Sequence, residues 1–139
     1  MATTERSGYS GTPLARKLGI KPGHRVHVHG APDDYARLLV PLPEGVVFAR
    51  RAGADVDVAH VFATAREDLA KRLASLRKAL RADAALWVSW PKRASKVATT
   101  ITEDTIRELA LPLGYVDIKV CAVDAVWSGL KLVVRKELR

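Results

Sequence analysis

A single cysteine, Cys121, in 139 residues leaves the chain without an intrachain disulfide. It sits inside an apolar, strand-like run, so its thiol reads as a small buried hydrophobe in a reducing compartment. No stretch approaches the roughly 20 apolar residues that a membrane-spanning helix requires. The polar opening Met1-Ala2-Thr3-Thr4-Glu5-Arg6 lacks the apolar centre of a signal peptide. A cytoplasmic protein with no membrane association is therefore expected. Acidic residues are the minority, 15 against 23 lysines and arginines, which gives a net charge of +8 and a pI near 10. That balance favours anionic partners such as nucleic acid, phosphorylated metabolites or acidic protein surfaces. Also missing are the Gly-x-Ser-x-Gly elbow that would activate Ser89 or Ser95 and the Gly-x-x-x-x-Gly-Lys-Ser/Thr loop of nucleotide hydrolases. Internal repeats and low-complexity segments are absent too, so no cofactor is called for by motif.

What is present fits one α/β domain spanning residues 1–139, with residues 1–10 as a loosely ordered tail. Thr12-Pro13-Leu14 to Gly19 predicts a short helix, with Thr12 as cap, Pro13 at its first position and Gly19 closing it. Arg25-Val26-His27-Val28-His29 alternates as a strand and exits through Gly30-Ala31-Pro32-Asp33-Asp34. A short helix through Tyr35 and Leu39, stopped by Pro41, leads to a second strand over Gly45 to Ala49. Asp55 to Phe62 predicts a third strand, and Thr64-Ala65-Arg66-Glu67 has the spacing of a capping box for a long helix. Leu69, Leu73, Leu76 and Leu80 form its buried stripe, while Lys71, Arg72, Arg77, Lys78 and Arg81 read as a solvated outer face.

Ala84 to Trp90 runs apolar without alternation, as a central strand covered on both faces does, and Pro91 is expected to end it. Thr102 then caps a helix to about Leu111, with Ile101 stapled onto Ile106. The segments Val116 to Val123 and Leu130 to Val134 predict a closing strand pair. Their connection, Asp124 to Gly129, is too short for a crossover helix, so the pair is antiparallel.

The loop after the central strand carries Lys92, Arg93 and Lys96, three cations within five residues. Ligands in open α/β sheets sit at the carboxyl ends of strands, so the loop lies where a site belongs. The expected ligand-binding residues are Gly30, Thr64, Arg66, Trp90, Lys92, Arg93, Ser95 and Lys96, with Trp90 to stack a base and the cations to hold phosphate. Tyr9, Ser10 and Thr12 either cover this pocket or cap a helix, capping being preferred. His27 and His29 share a strand face, and His60 comes near them if the third strand pairs beside the first. Three imidazoles suit a transition metal, but no carboxylate accompanies them, so satisfied histidines and no metal are expected. Asp55 and Asp57 flank the far end of their strand and are not expected to act as an acid/base pair.

From Asp55 to Arg135, the order strand, helix, strand, helix, strand, short connection, strand resembles the second half of class I S-adenosylmethionine-dependent methyltransferases. The resemblance implies a small Rossmann-like, three-layer fold, with a mainly parallel sheet and an antiparallel closing pair. The cofactor half departs from that family. Gly30 stands without a glycine-rich loop, and Arg50 and Arg51 occupy the place of the acid that accepts ribose hydroxyls. The motifs Gly8-Tyr9-Ser10-Gly11-Thr12-Pro13-Leu14, Leu86-Trp87-Val88-Ser89-Trp90-Pro91-Lys92 and Trp127-Ser128-Gly129-Leu130-Lys131 also resemble a bacterial domain-of-unknown-function family, which implies no catalytic residue. The resulting expectation is a non-catalytic binding module for an anionic ligand: a nucleotide, phosphorylated metabolite or nucleic acid. The alternative is a divergent S-adenosylmethionine-dependent methyltransferase. A protein partner or a second copy becomes the better guess if no anion binds.

Overall fold

The computed structural model describes residues 12–139. Tyr9, Ser10 and most of the opening glycine-containing motif lie outside the described residues. Six strands form one sheet: β1 (Arg25–His29), β2 (Val47–Ala49), β3 (Val58–Phe62), β4 (Ala85–Pro91), β5 (Tyr115–Ala122) and β6 (Trp127–Val134). Their spatial order is β2-β1-β3-β4-β6-β5. The first four are mutually parallel, and β6 runs antiparallel to both β4 and β5, as the short final connection requires.

Strand alternation sends side chains to two separate cores. Ala59, Val61, Leu86 and Val88 pack with α3 (Arg66–Ala79) and α4 (Glu103–Ala110). Val26, Val58, Phe62 and Trp87 pack instead with α1 (Leu14–Lys17) and α2 (Tyr35–Leu38). Three layers result, with β4 buried along nearly its whole length. Leu69, Leu73, Leu76 and Leu80 are all buried, and each contributes about 1.5–3 kcal/mol by leaving water. Trp87 spans the second core, its indole N–H donating to the Leu18 carbonyl at 3.0 Å.

Several boundaries differ from the sequence reading, each for a local reason. β3 begins at Val58 rather than Asp55 because both aspartates are engaged elsewhere. The Asp57 carboxylate accepts the Arg25 amide at 2.8 Å and pairs with Arg81 at 2.6 Å, and Asp55 pairs with Arg25. Pro91 is the last residue of β4, opposite Trp127, where its missing N–H does not interrupt the pairing. Neither Thr12 nor Thr64 caps its helix. Pro13 precedes α1 and Ala65 precedes α3, and neither cap position makes a side-chain hydrogen bond. The Arg66 amide is satisfied across the chain, donating to Thr100 Oγ1 at 2.8 Å. α4 follows expectation: the Thr102 hydroxyl accepts the Thr105 amide, and the Thr105 hydroxyl accepts the Thr102 amide in return.

The crossover from β2 to β3 spans only residues 50–57 and contains no helix. It must pass β1, which lies between those strands. Such a connection usually takes a dozen or more residues and a helix. Here, beyond Ala49 and Ala52 at the edge of the core, the α3 side of β1 has no helix of its own above it. That gap is what opens a cleft beside α3.

Candidate functional site

The carboxyl ends of β1, β3 and β4 share one edge of the sheet, because those strands are parallel. At that edge Gly30 has φ +75°, and a Cβ there would stand 2.7 Å from the Phe62 carbonyl oxygen. Glycine is required because the exit of β1 presses against the end of β3.

A cleft of about 550 Å³ opens between this edge and α3. His29 reaches it from β1, Thr64 from the end of β3, and Asp68, Lys71, Arg72 and Ser75 from α3. Two permanent cations and a histidine thus face one carboxylate. Partial burial lowers the His29 pKa, and the positive charges of Arg72 and His27 lower it further. The imidazole is therefore neutral at pH 7, offering one donor and one acceptor. Its coupling to Arg72 leaves a basic cleft suited to an anion.

A second hollow, of about 590 Å³, lies under the loop after β4 and against the start of α4. Trp90, Arg93, Lys96, Thr102 and Glu103 line it. The two hollows are kept apart by a stitched partition. The Thr64 carbonyl accepts the Thr99 hydroxyl at 2.8 Å and the Thr100 amide at 2.9 Å, and Arg66 pairs with Glu108 at 2.9 Å.

The eight residues expected to form one site are thus distributed. Thr64 belongs to the first cleft and Trp90, Arg93 and Lys96 to the second hollow, while Gly30 lines neither and packs against Phe62. Arg66 stands in the partition. Lys92 is turned towards the β5–β6 connection, where its ammonium donates to the Asp124 carbonyl at 2.8 Å and its amide to that of Val126 at 2.7 Å. The Ser95 hydroxyl donates to the Lys92 carbonyl at 2.7 Å, shaping the loop from within.

Lys71 and Arg72 were grouped in the sequence with a solvated helix face. Arg72 in fact lies three residues after buried Leu69, on the flank of the apolar stripe, which is the one signal the sequence offered.

The histidines do not converge. β1 and β3 pair with His27 opposite Ala59 and His29 opposite Val61, which sends His60 to the other face of the sheet. There it is fully buried, with Nδ1 2.7 Å from the Tyr35 hydroxyl and Nε2 2.7 Å from the Ser89 hydroxyl. Burial pushes its pKa down to about 3 and raises that of Tyr35. Ser89 and His60 are both sealed from solvent, so this chain of hydroxyls and imidazole binds the core together and offers no nucleophile. Among the described residues no three histidine, cysteine or acidic side chains cluster as metal ligands, and no helix is long and apolar enough to cross a membrane.

No family model matches the sequence, and no curated protein matches it either. Solved structures do share the fold. A SAM dependent methyltransferase from Aquifex aeolicus is 13% identical with a TM-score of 0.66, the match covering 96% of this chain and 94% of that one. The tRNA methyltransferase TrmK of B. subtilis is 12% identical with a TM-score of 0.60, over 92% of this chain and 68% of that one. LepI in complex with SAM is 14% identical with a TM-score of 0.53, over 88% of this chain but only 39% of that one. The architecture is therefore Rossmann-like and of the methyltransferase type.

Proposed function

We propose that the protein is a binding module built on a methyltransferase-type sheet, taking a small anionic ligand such as a nucleotide or phosphorylated metabolite in the cleft beside α3. The observation that supports this is the cleft's composition: Lys71, Arg72 and His29 face Asp68 at the carboxyl edge of β1 and β3. An anion there gains two charge-assisted contacts. It also relieves the repulsion from Arg72 that, after burial, holds the His29 pKa down.

A second reading, a divergent S-adenosylmethionine-dependent methyltransferase, is favoured by the fold, and the comparisons lend it more direct support than they lend the first. The Aquifex aeolicus protein is matched over nearly its whole length, so a chain of this size suffices for the architecture. The side chains weigh against it. The close approach at Gly30 is already filled by the Phe62 carbonyl, so the glycine opens no cradle for a cofactor. β2 runs into Arg50 and Arg51, where a carboxylate would accept ribose hydroxyls. The methionine moiety's sulfonium is a cation, and it would enter a cleft already holding Lys71 and Arg72. These residues do not fit S-adenosylmethionine held in that way.

Thermal unfolding with inorganic phosphate, adenosine 5′-monophosphate, S-adenosylmethionine and S-adenosylhomocysteine separates the two. An anion at about 100 times its dissociation constant stabilises by about 2.7 kcal/mol, and Lys71→Ala/Arg72→Ala abolishes that gain. If the two S-adenosyl compounds bind and the anions do not, the methyltransferase reading stands and the anion module falls.

A further inference from the structure

The geometry points to a second, separate binding site, in the hollow beneath the loop after β4, for a phosphomonoester carried on an apolar body. It does not rest on the cleft beside α3. Trp90 is only 9% exposed and lines this hollow, yet its indole N–H meets no acceptor among the described residues. Whereas the Trp87 N–H is taken up by Leu18, the Trp90 nitrogen is not among the buried polar atoms left without a partner, so its N–H opens to solvent. It is thus a donor on a rigid strand that a ligand can reach.

Two further donors stand at the same hollow. Arg93 and Lys96 are exposed, and among the described residues neither makes an ion pair or a side-chain hydrogen bond. Lys96 has φ 61°, and among the described residues it alone holds a positive φ without being glycine. That conformation costs a non-glycine residue about 1–2 kcal/mol. The loop keeps it while its other polar groups are internally satisfied, Ser95 bonding Lys92 and Thr99 bonding Thr64. The strained residue therefore sits where a cation faces the hollow.

The remaining walls define the ligand. The start of α4, with Thr102 and Glu103, contributes the positive end of a helix dipole. The Glu103 carboxylate is paired with the Arg107 guanidinium, which Asp104 and Asp117 share, so it offsets the two loop cations only in part. Pro91, Val97 and Ile101 complete an apolar wall. Phosphate oxygens would accept from Arg93, Lys96 and the Trp90 indole, with the ester group against that wall.

The test follows the indole N–H resonances of the full chain by nitrogen-15 NMR, with Trp90 assigned through Trp90→Phe. Phenyl phosphate and inorganic phosphate are titrated at constant ionic strength. A saturable shift of the Trp90 resonance is expected with both, phenyl phosphate binding the tighter. Arg93→Ala/Lys96→Ala should weaken binding at least tenfold, while Lys71→Ala/Arg72→Ala should leave it unchanged. A Trp90 resonance that stays still, or that shifts equally in the Arg93→Ala/Lys96→Ala protein, would overturn the site. Loss of the shift on removing Lys71 and Arg72 instead would assign the binding to the cleft beside α3.

Discussion

His60 should make this protein acid-sensitive between about pH 7 and pH 5. In the unfolded chain the imidazole has a pKa near 6.5, and in the folded protein burial pushes it down to about 3. Between those values the unfolded state holds a proton that the folded state refuses. Stability is therefore complete above pH 6.5 and falls as the pH drops, by about 1.4 kcal/mol per unit. Moving from pH 7 to pH 5 should remove about 2 kcal/mol through this residue alone. Asp57 and Asp117, whose pKa values are lowered, add losses of the same sign only at more acidic pH, as their carboxylates protonate. His29 also adds a loss of the same sign, so the comparison must be with a variant. His60→Gln keeps a polar group between Tyr35 and Ser89 but removes the titration. It should be less stable at pH 7 by about 1–3 kcal/mol, since one buried hydroxyl loses its partner. Its urea midpoint should then fall less steeply, the two curves converging by about 2 kcal/mol at pH 5. Parallel loss in both proteins would refute the reasoning. If the variant does not fold, the His60 ring protons of the native protein give the answer, because titration above pH 5 would refute it equally.

Other outcomes follow from single contacts. Gly30→Ala should cost at least about 2 kcal/mol in chemical denaturation, since it joins a left-handed backbone to a clash with the Phe62 carbonyl; a neutral effect would mean that the end of β3 can yield. Thr102→Ala should destabilise by about 1 kcal/mol through the lost cap of α4, and Thr64→Ala should cost far less, because only the Thr64 carbonyl is used. Anion binding in the cleft beside α3 should tighten as the pH falls through the lowered pKa of His29, a protonated ring adding a third cation beside Lys71 and Arg72 and opposite Asp68. Calorimetric titration of sulfate, whose charge does not change in this range, about one pH unit above and below the free-histidine value should show that trend, and affinity independent of pH would remove His29 from the site.

Much of the fold was legible because local chemistry and global packing agreed. β1 was bounded by its alternation and α4 by Thr102 and its staple, while the leucine stripe located α3 but its start was placed at a Thr64 cap that the helix does not use. The antiparallel closing pair followed from the length of one connection. The candidate site was less legible, because it depends on relations that no local pattern encodes. A shift of one residue in the β1–β3 register decides whether His60 joins His27 and His29 or faces Tyr35. Lys92 reads like its neighbours Arg93 and Lys96, yet the backbone of the β5–β6 turn captures it alone. Lys71 and Arg72 look solvated on a helical wheel, and they line a cleft only because no helix covers β1 on that side. Thr64 carries a capping signature, but the chain uses its carbonyl to fasten a loop some 35 residues away.

The helix-free passage from β2 to β3 also bears on how such a protein changes over evolution. Lengthening a surface connection is thermodynamically mild, about 0.6 kcal/mol for each doubling. Residues added between Arg50 and Asp57 would have the open side of β1 to settle on. The pocket's depth, and with it the size of the guest it admits, is therefore adjustable by insertion in this passage, provided that Ala52 and Val56 keep their places at the core. A library of inserts at this position would be a direct route to new ligand preferences on the same scaffold.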